Sequence, residues 1–346
     1  MTSILKNEMN YTTGFVWFGS SDWTMVEEAP GIMVATAPER ECSFPARQCV
    51  PSWNIISGHN GWSEVFLRAR LTDGTWTVWY RMGLWASEPA YMQRFSLSGQ
   101  ENDHGKVDTD VLTLKKDAEA FQMKIRLCET MVGGLPTLRG AALTWSSERE
   151  KSWNALSSET GEAVEVENLP AHSQKVYKDG GGTWCSPTSL SMVIQKWRQS
   201  PVLPEAAVRE AVRGTFDPIY GGNGNWSFNA AWAGSMGYRA YVRRFTRLRD
   251  LRPYLEAGIP VILSVSWDKK KDRPLDNSPI NSTDGHLIVL KGFDGKGNAL
   301  IHEPASPTNE EVPRSYPCEH LQPRWMESSG GTAYIVFPAD REDPGL

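Results

Sequence analysis

The stretch "DGGGTWCSPTSLSMVIQKW", residues 179–197, sets a single cysteine between a run of glycines and an amphipathic segment, and its reading decides the second half of the fold. Leu190, Val193, Ile194 and Trp197 recur at helical spacing, and Ser186 with Pro187 suits a helix start. Cys185 therefore falls at or just before the first turn. Backbone N–H groups there have no intrahelical partner, and the positive end of the helix favours thiolate over thiol. The plain alternative for such a residue is a buried, inert packing cysteine.

Upstream of this segment, two-residue alternation dominates. In "WSEVFLRARLTDGTWTVWYRMGLW", Val65, Leu67, Ala69 and Leu71 alternate with Glu64, Arg68 and Arg70, Asp73 and Gly74 supply a turn, and Trp76, Val78 and Tyr80 share a face beyond it. "AFQMKIRLCE" places Phe121, Met123, Ile125 and Leu127 on one side, and "TLRGAALTWSS" offers a further strand. Short strands joined by turns predict an antiparallel β-sandwich. Nine of the 15 tryptophans precede residue 155, and the alternation turns many of them inward. Core packing is their expected use, with glycan binding by stacking on sugar rings left open.

Residues 146–168 shift to Ser, Glu and Lys without sustained apolar periodicity, which places the domain junction there. The expected division is a β-sandwich accessory domain over 1–148, a linker over 149–166 and a second domain over 167–346. In that second domain "NWSFNAAWAGSMG" predicts a short helix with Ser227 as N-cap and Gly237 as its stop. "LRDLRPYLEAG" reads as another helix, followed by strands in "IPVILSVSW", "HLIVLKGFD", "NALIHEP" and "TAYIVFP". Helices followed by an antiparallel sheet make the fold class α+β.

A length of 346 residues, 40% apolar and 22% charged, suits two soluble globular domains. Lys and Arg total 36 against 41 Asp and Glu, and the basic cluster "RRFTRLRDLR" at 243–252 is interleaved with apolar residues. Nucleic acid is therefore not an expected partner. No apolar run approaches the roughly 18 residues of a membrane span. "MTSILKNEMNYTTG" lacks the apolar region of a secretory signal, so the expected location is cytoplasmic, or outside the cell if the chain is already processed. Five cysteines leave at least one thiol unpaired within the chain, and Cys42 and Cys49 in "ECSFPARQC" are spaced to close a small loop. No second close-spaced Cys or His pair completes four metal ligands, so neither metal nor cofactor is expected.

A cysteine nucleophile needs a base, and among six histidines His286 alone opens an apolar strand directly after a polar loop, "NSPINSTDGH". The base needs an acceptor to orient it. "HLIVLKGFDGKGNALIHEP" reads as a hairpin, and the loop length decides which residue meets His286. A two-residue loop at Gly295-Lys296 sets Glu303 opposite Ile288, on the side of His286, and one at Asp294-Gly295 sets Glu303 opposite His286 itself. A three-residue loop brings His302 there instead, and Asp284 is the fallback. An oxyanion would find the N–H of Cys185 and an amide side chain from the preceding loop, for which Gln174 is the candidate. "YGGNGN" lacks the Lys-Ser/Thr of a phosphate-binding loop and reads as a cleft wall, with Trp184, Asn225, Trp226 and Asp284 as further wall candidates.

The segments "HSQKVYKDGGGTWCSPTSLSMV", "YGGNGNWSFNAAWAGSMG", "DGHLIVLKGFD", "IHEPAS" and "SSGGTAYIVFP" together resemble the C39-like branch of the papain-like cysteine peptidases, over roughly residues 165–340. The resemblance implies a papain-like catalytic domain with Cys185 as nucleophile, His286 as base, Gln174 in the oxyanion hole and an acidic or amide residue at Glu303. It also implies a peptide or small amide as substrate. One departure is the "HEPA" of this chain where the family usually carries Asn-Asp-Pro-Ala. Glutamate is one methylene longer, so either the backbone retreats or the third member works less well. "PSWNIISG", "WTVWYRMGLW" and "VDTDVLTL" are similar to the segment that commonly precedes this domain. The expected function is a thiol-dependent amide hydrolase working through a thioester. Two alternatives are the same acyl-enzyme resolved by an amine, making an amide-forming acyltransferase or peptide cyclase, and a binding protein with a vestigial site.

Overall fold

The structure is a computed structural model that describes residues 11–57, 61–88, 92–130, 134–148, 161–268 and 275–346. Among these, the first nine strands form one antiparallel sheet. They are β1 (Thr13–Gly19), β2 (Thr24–Ala29), β3 (Ile32–Thr36), β4 (Arg40–Ile56), β5 (Trp62–Leu71), β6 (Tyr80–Trp85), β7 (Gly105–Asp108), β8 (Val111–Cys128) and β9 (Thr137–Ser146). The order is β1-β9-β4-β8-β3-β2, with β5 and β7 also on β8 and β6 on β5.

The long strands β4 and β8 turn this sheet back on itself. β4 pairs β8 through its first half and β9 through its second, with register shifts between Glu41 and Gln48 that bend it. Trp53 on β4 and Trp85 on β6 belong to strands that do not pair, yet their ring centroids lie 6.5 Å apart. The sandwich thus has two facing layers joined by a ladder that continues around the bend. Val65, Leu67, Ala69, Leu71, Phe121, Met123, Ile125 and Leu127 all point into it. The second arm of the predicted hairpin differs from expectation. Trp76 makes only an isolated bridge to Arg70, Val78 is exposed, and pairing with β5 is resumed only at Tyr80.

The tryptophans divide between core and surface. Trp53, Trp85 and Trp145 are buried. On the outer face Arg68 lies over both Trp76 and Trp79 at 4.1 and 4.5 Å, and Lys124 lies over Trp79 and Phe66. These outer rings therefore already carry protein cations on their faces.

The second sheet contains β10 (Val164–Glu165), β11 (Tyr238–Arg244), β12 (Val261–Trp267), β13 (Thr283–Phe293), β14 (Asn298–His302), β15 (Pro313–Pro317) and β16 (Thr332–Pro338). Its order is β11-β16-β12-β13-β14-β15, with β10 on β13. Most of the expected 149–166 linker lies outside the described residues, and its final stretch is β10. The helices are α1 (Cys185–Trp197), α2 (Pro204–Thr215), α3 (Trp226–Ser235), α4 (Arg252–Glu256) and α5 (Cys318–Ser329). α3 starts earlier than the sequence pattern indicated. Asn225, not Ser227, is its N-cap, accepting from Phe228 N at 3.0 Å, while Ser227 donates to the Pro51 carbonyl. No helix of the described residues is long and apolar enough to cross a membrane. Cys42 and Cys49 remain separate thiols, so the small disulfide loop is not formed.

The two sheets meet along β11, an edge strand whose outward N–H groups would otherwise be unpaired. Side chains of the first sheet supply the partners. Asn54 bonds both the N–H and the carbonyl of Ala240 at 3.0 and 2.7 Å, Ser52 Oγ accepts from Val242 N, and Thr144 Oγ1 accepts from Arg244 N. α3 packs against β4 in the same interface, with Phe228 between Trp53 and Trp85.

Candidate active site

Cys185 is the first residue of α1, half-buried, and the cap residue Trp184 offers its helix no side-chain acceptor. Gly180, five residues before it, is a packing requirement. A Cβ on Gly180 would come 1.8 Å from the Trp184 ring, so this chain reversal closes only over glycine. Ser189 Oγ then ties α1 to the Leu287 carbonyl at 3.0 Å, one residue past His286.

His286 sits on β13 opposite Val265, buried, with the Trp267 ring edge-on at 5.9 Å. Its Nε2 donates to Glu303 Oε1 at 2.6 Å, and Cys185 lines the same cleft, which leaves Nδ1 for the sulfur. Glu303 is fully buried. Its Oε1 also accepts from Ala305 N at 2.8 Å, and its Oε2 accepts from the Tyr316 hydroxyl at 2.8 Å.

The register that brings Glu303 to His286 arises in two steps. The Asp294 N–H bonds the Asn298 carbonyl, enclosing the three-residue loop 295–297, which taken alone would have turned His302 to this face. The ladder starts in that register at Phe293↔Ala299 and Gly292↔Leu300, then a bulge at Lys291 restores Leu290↔Ile301 and Val289↔His302. One extra residue on β13 therefore cancels the odd loop, and Glu303 falls on the side of His286. His302 faces away, its Nδ1 donating to the Pro170 carbonyl at 3.0 Å, and burial holds its pKa down at about 4.

The electrostatics follow from this packing. Burial alone would raise the Cys185 thiol, but the hydrogen bond and charge of His286, with the Leu287 N–H, hold it below its ordinary 9.0. Burial likewise opposes charge on His286, yet the Glu303 carboxylate and the contact with Cys185 push it up to about 10. Burial of Glu303 is outweighed by the imidazole and by the Ala305 and Tyr316 donors, so its carboxyl lies below the usual range. All three shifts favour a thiolate facing an imidazolium held by a carboxylate.

A cleft of about 630 Å³ opens on this pair. Trp226, exposed Asp284 and the loop 220–224 line it, in the places the sequence suggested. Three other candidate residues lie outside the cleft lining. Trp184 packs on Tyr177 at 5.7 Å and under Arg209, outside the cleft. Asn225 is buried as the α3 cap, with its Nδ2 donating to Asp217. Gln174 does not line the cleft either: its Nε2 donates to the Gly181 carbonyl at 3.0 Å, and its Oε1 has no partner among the described residues. It braces the glycine loop that precedes Cys185.

Sequence reasoning missed Tyr316, Trp267 and a whole cleft wall, residues 108–111 of the first sheet. Tyr316 lies on β15, opposite Ala299, on the face of β14 that also carries Glu303. Its strand has no alternating pattern that would have announced it.

Comparison with known proteins agrees with this architecture. Residues 166–333 match the peptidase C39-like family, and residues 32–146 match the peptidase C39 N-terminal domain. Among solved structures, a candidate C39-like peptidase from Bacillus anthracis is 18% identical, with a TM-score of 0.38, covering 52% of this chain and 100% of its own. A structure of infectious bursal disease virus, Gt strain, is 10% identical, with a TM-score of 0.25, over 38% of this chain and 32% of that one. No curated protein matches the chain.

Proposed function

Because the chain belongs to the C39-like peptidase family, with a C39 N-terminal domain before the C39-like domain, we propose that it is a cysteine peptidase-type enzyme that hydrolyses peptide bonds through a thioester. The observation that carries this reading is the imidazole of His286, bonded at Nε2 to a buried carboxylate at 2.6 Å and sharing an open cleft with a helix-start thiol.

The Cys185 sulfur attacks the scissile carbonyl, forming an S–C bond and an oxyanion. The N–H of Cys185, in the unpaired first turn of α1, is the donor best situated for that charge. His286 gives its proton to the departing amine as the C–N bond breaks, leaving a thioester on Cys185. A water then loses a proton to His286, attacks the thioester, and the acid departs as the thiolate reforms. Glu303 keeps the ring oriented throughout and stabilises its charge whenever it holds the second proton, with Tyr316 and Ala305 fixing the carboxylate.

Hydrolysis is tested by incubating the protein with a mixture of short peptides in heavy-oxygen water, with and without an added amine, and reading products by mass spectrometry. Cleaved peptides carrying one heavy oxygen at the new carboxyl are expected. Amide products formed at the expense of acids would contradict the hydrolytic reading in favour of acyl transfer.

A further inference from the structure

Part of the cleft is built by the N-terminal domain. The turn 108–111 between β7 and β8 lines the same cavity as Cys185 and His286. Thr109 holds φ at +56°, a left-handed conformation that costs a β-branched residue more than most. Asp110 Oδ2 accepts from Trp226 N and Ser227 N at 2.5 and 3.1 Å, so a residue of the first domain caps α3 of the second. The neighbouring loop is anchored from the same side. Asp217 Oδ1 accepts from Ser96 N at 3.1 Å and from Ile219 N at 3.1 Å, while Oδ2 holds Asn225. The wall formed by Tyr220 and its glycines is therefore set by contacts with the first domain.

The chemistry of the combined wall is one-sided. Among the described residues, Asp108, Asp110 and Asp284 line the cleft and no Lys or Arg does. The cleft already contains the thiol–imidazole pair, so the presence of a ligand there does not depend on these acids. Burial raises the Asp110 carboxyl to about 7, while Asp108 and Asp284 are exposed.

Resting on the peptidase reading above, we propose that the turn 108–111 is a substrate-selecting part of the active site, with Asp108 favouring peptides that carry a basic residue and Asp110 positioning the α3 side of the cleft. The N-terminal domain is then part of the substrate site. Charges at such a rim act mainly through the rate of productive encounter, so selectivity should weaken with salt.

The test uses the full chain and two sets of peptidyl vinyl sulfones, with lysine or glutamate placed at each position in turn. The rate of Cys185 modification is divided by that with iodoacetamide for the same variant. In the wild type the best lysine probe is expected to outpace its glutamate counterpart by about fivefold. Asp108→Lys should invert this ratio. Asp110→Asn, which keeps an oxygen acceptor for the α3 N–H groups, should retain peptide-probe reactivity that Asp110→Ala loses. Rapid iodoacetamide reaction with equal rates for both probe sets, or an unchanged ratio in Asp108→Lys, overturns this inference alone. Slow iodoacetamide reaction of wild-type Cys185 overturns the peptidase reading and the inference with it.

Discussion

Replacing Cys185 by alanine is expected to lower peptide turnover by about 10⁵-fold or more, the scale seen when an enzyme loses its nucleophile, while the protein still folds. The fold should survive because Cys185 is half-buried at the end of α1 and packs at the margin of the core rather than within it. Alanine is also a better helix former than cysteine. Turnover should vanish because no other described cysteine can substitute. Cys49, Cys128 and Cys318 are buried, and burial holds the Cys42 thiol up at about 12. Kinetics on a cleaved peptide, with circular dichroism to verify folding, check both halves. Turnover retained within tenfold of wild type would remove Cys185 from the mechanism.

The second large effect concerns Glu303. Its carboxylate is the foremost influence raising His286, so Glu303→Gln, which keeps the shape and an acceptor for Nε2–H but removes the charge, makes the imidazolium less stable. kcat/KM is expected to fall by about 10²- to 10⁴-fold, comparable to the loss of the third member of other nucleophile–histidine–acid sites. The sign of the pH effect is fixed. In the wild type the reactive pair exists from the lowered thiol pKa up to the alkaline loss of the His286 proton near 10. With glutamine that alkaline limb moves to lower pH. Glu303→Asp keeps the charge but withdraws it by a methylene from both His286 and Tyr316, so it should not restore full activity. A pH–rate profile in which the Gln variant keeps the wild-type alkaline limb would show that Glu303 does not sustain the ring's charge.

The departure from the shorter aspartate of the usual Asn-Asp-Pro-Ala stretch thus has a structural answer. The longer side chain reaches His286 from a fully buried position and is held there by Tyr316 and Ala305. A vestigial site would have no reason to retain a buried carboxylate against its desolvation cost.

How much of this was legible in the sequence depended on the range of the contacts involved. The helix start at Cys185 is local, and its apolar spacing and glycine run gave it directly. The β13–β14 pairing was legible as a parity question, but parity is decided by loop length and bulges together. Nothing in "HLIVLKGFD" distinguishes Lys291 as the bulge. Asn225 and Ser227 are both cap-forming types two residues apart, and only the direction of the entering chain selects Asn225. α5 was invisible because Pro323 interrupts its pattern, and α2 because its inward face is made of the small residues Ala207, Val208 and Ala211. The wall at 108–111 could not be read at all. It reaches the cleft through Asp110 and α3, a tertiary contact between residues 116 apart in the chain.

The account stands or falls on the ionisation of one sulfur, and the pH dependence of iodoacetamide modification at Cys185, followed by peptide mapping with Cys42 as internal comparator, measures it directly. A rate whose midpoint lies below the ordinary thiol value of 9.0, while Cys42 stays slow, is the expected result. A Cys185 rate that keeps climbing through pH 9, or one no faster than that of Cys42, would contradict the thiolate–imidazolium pair.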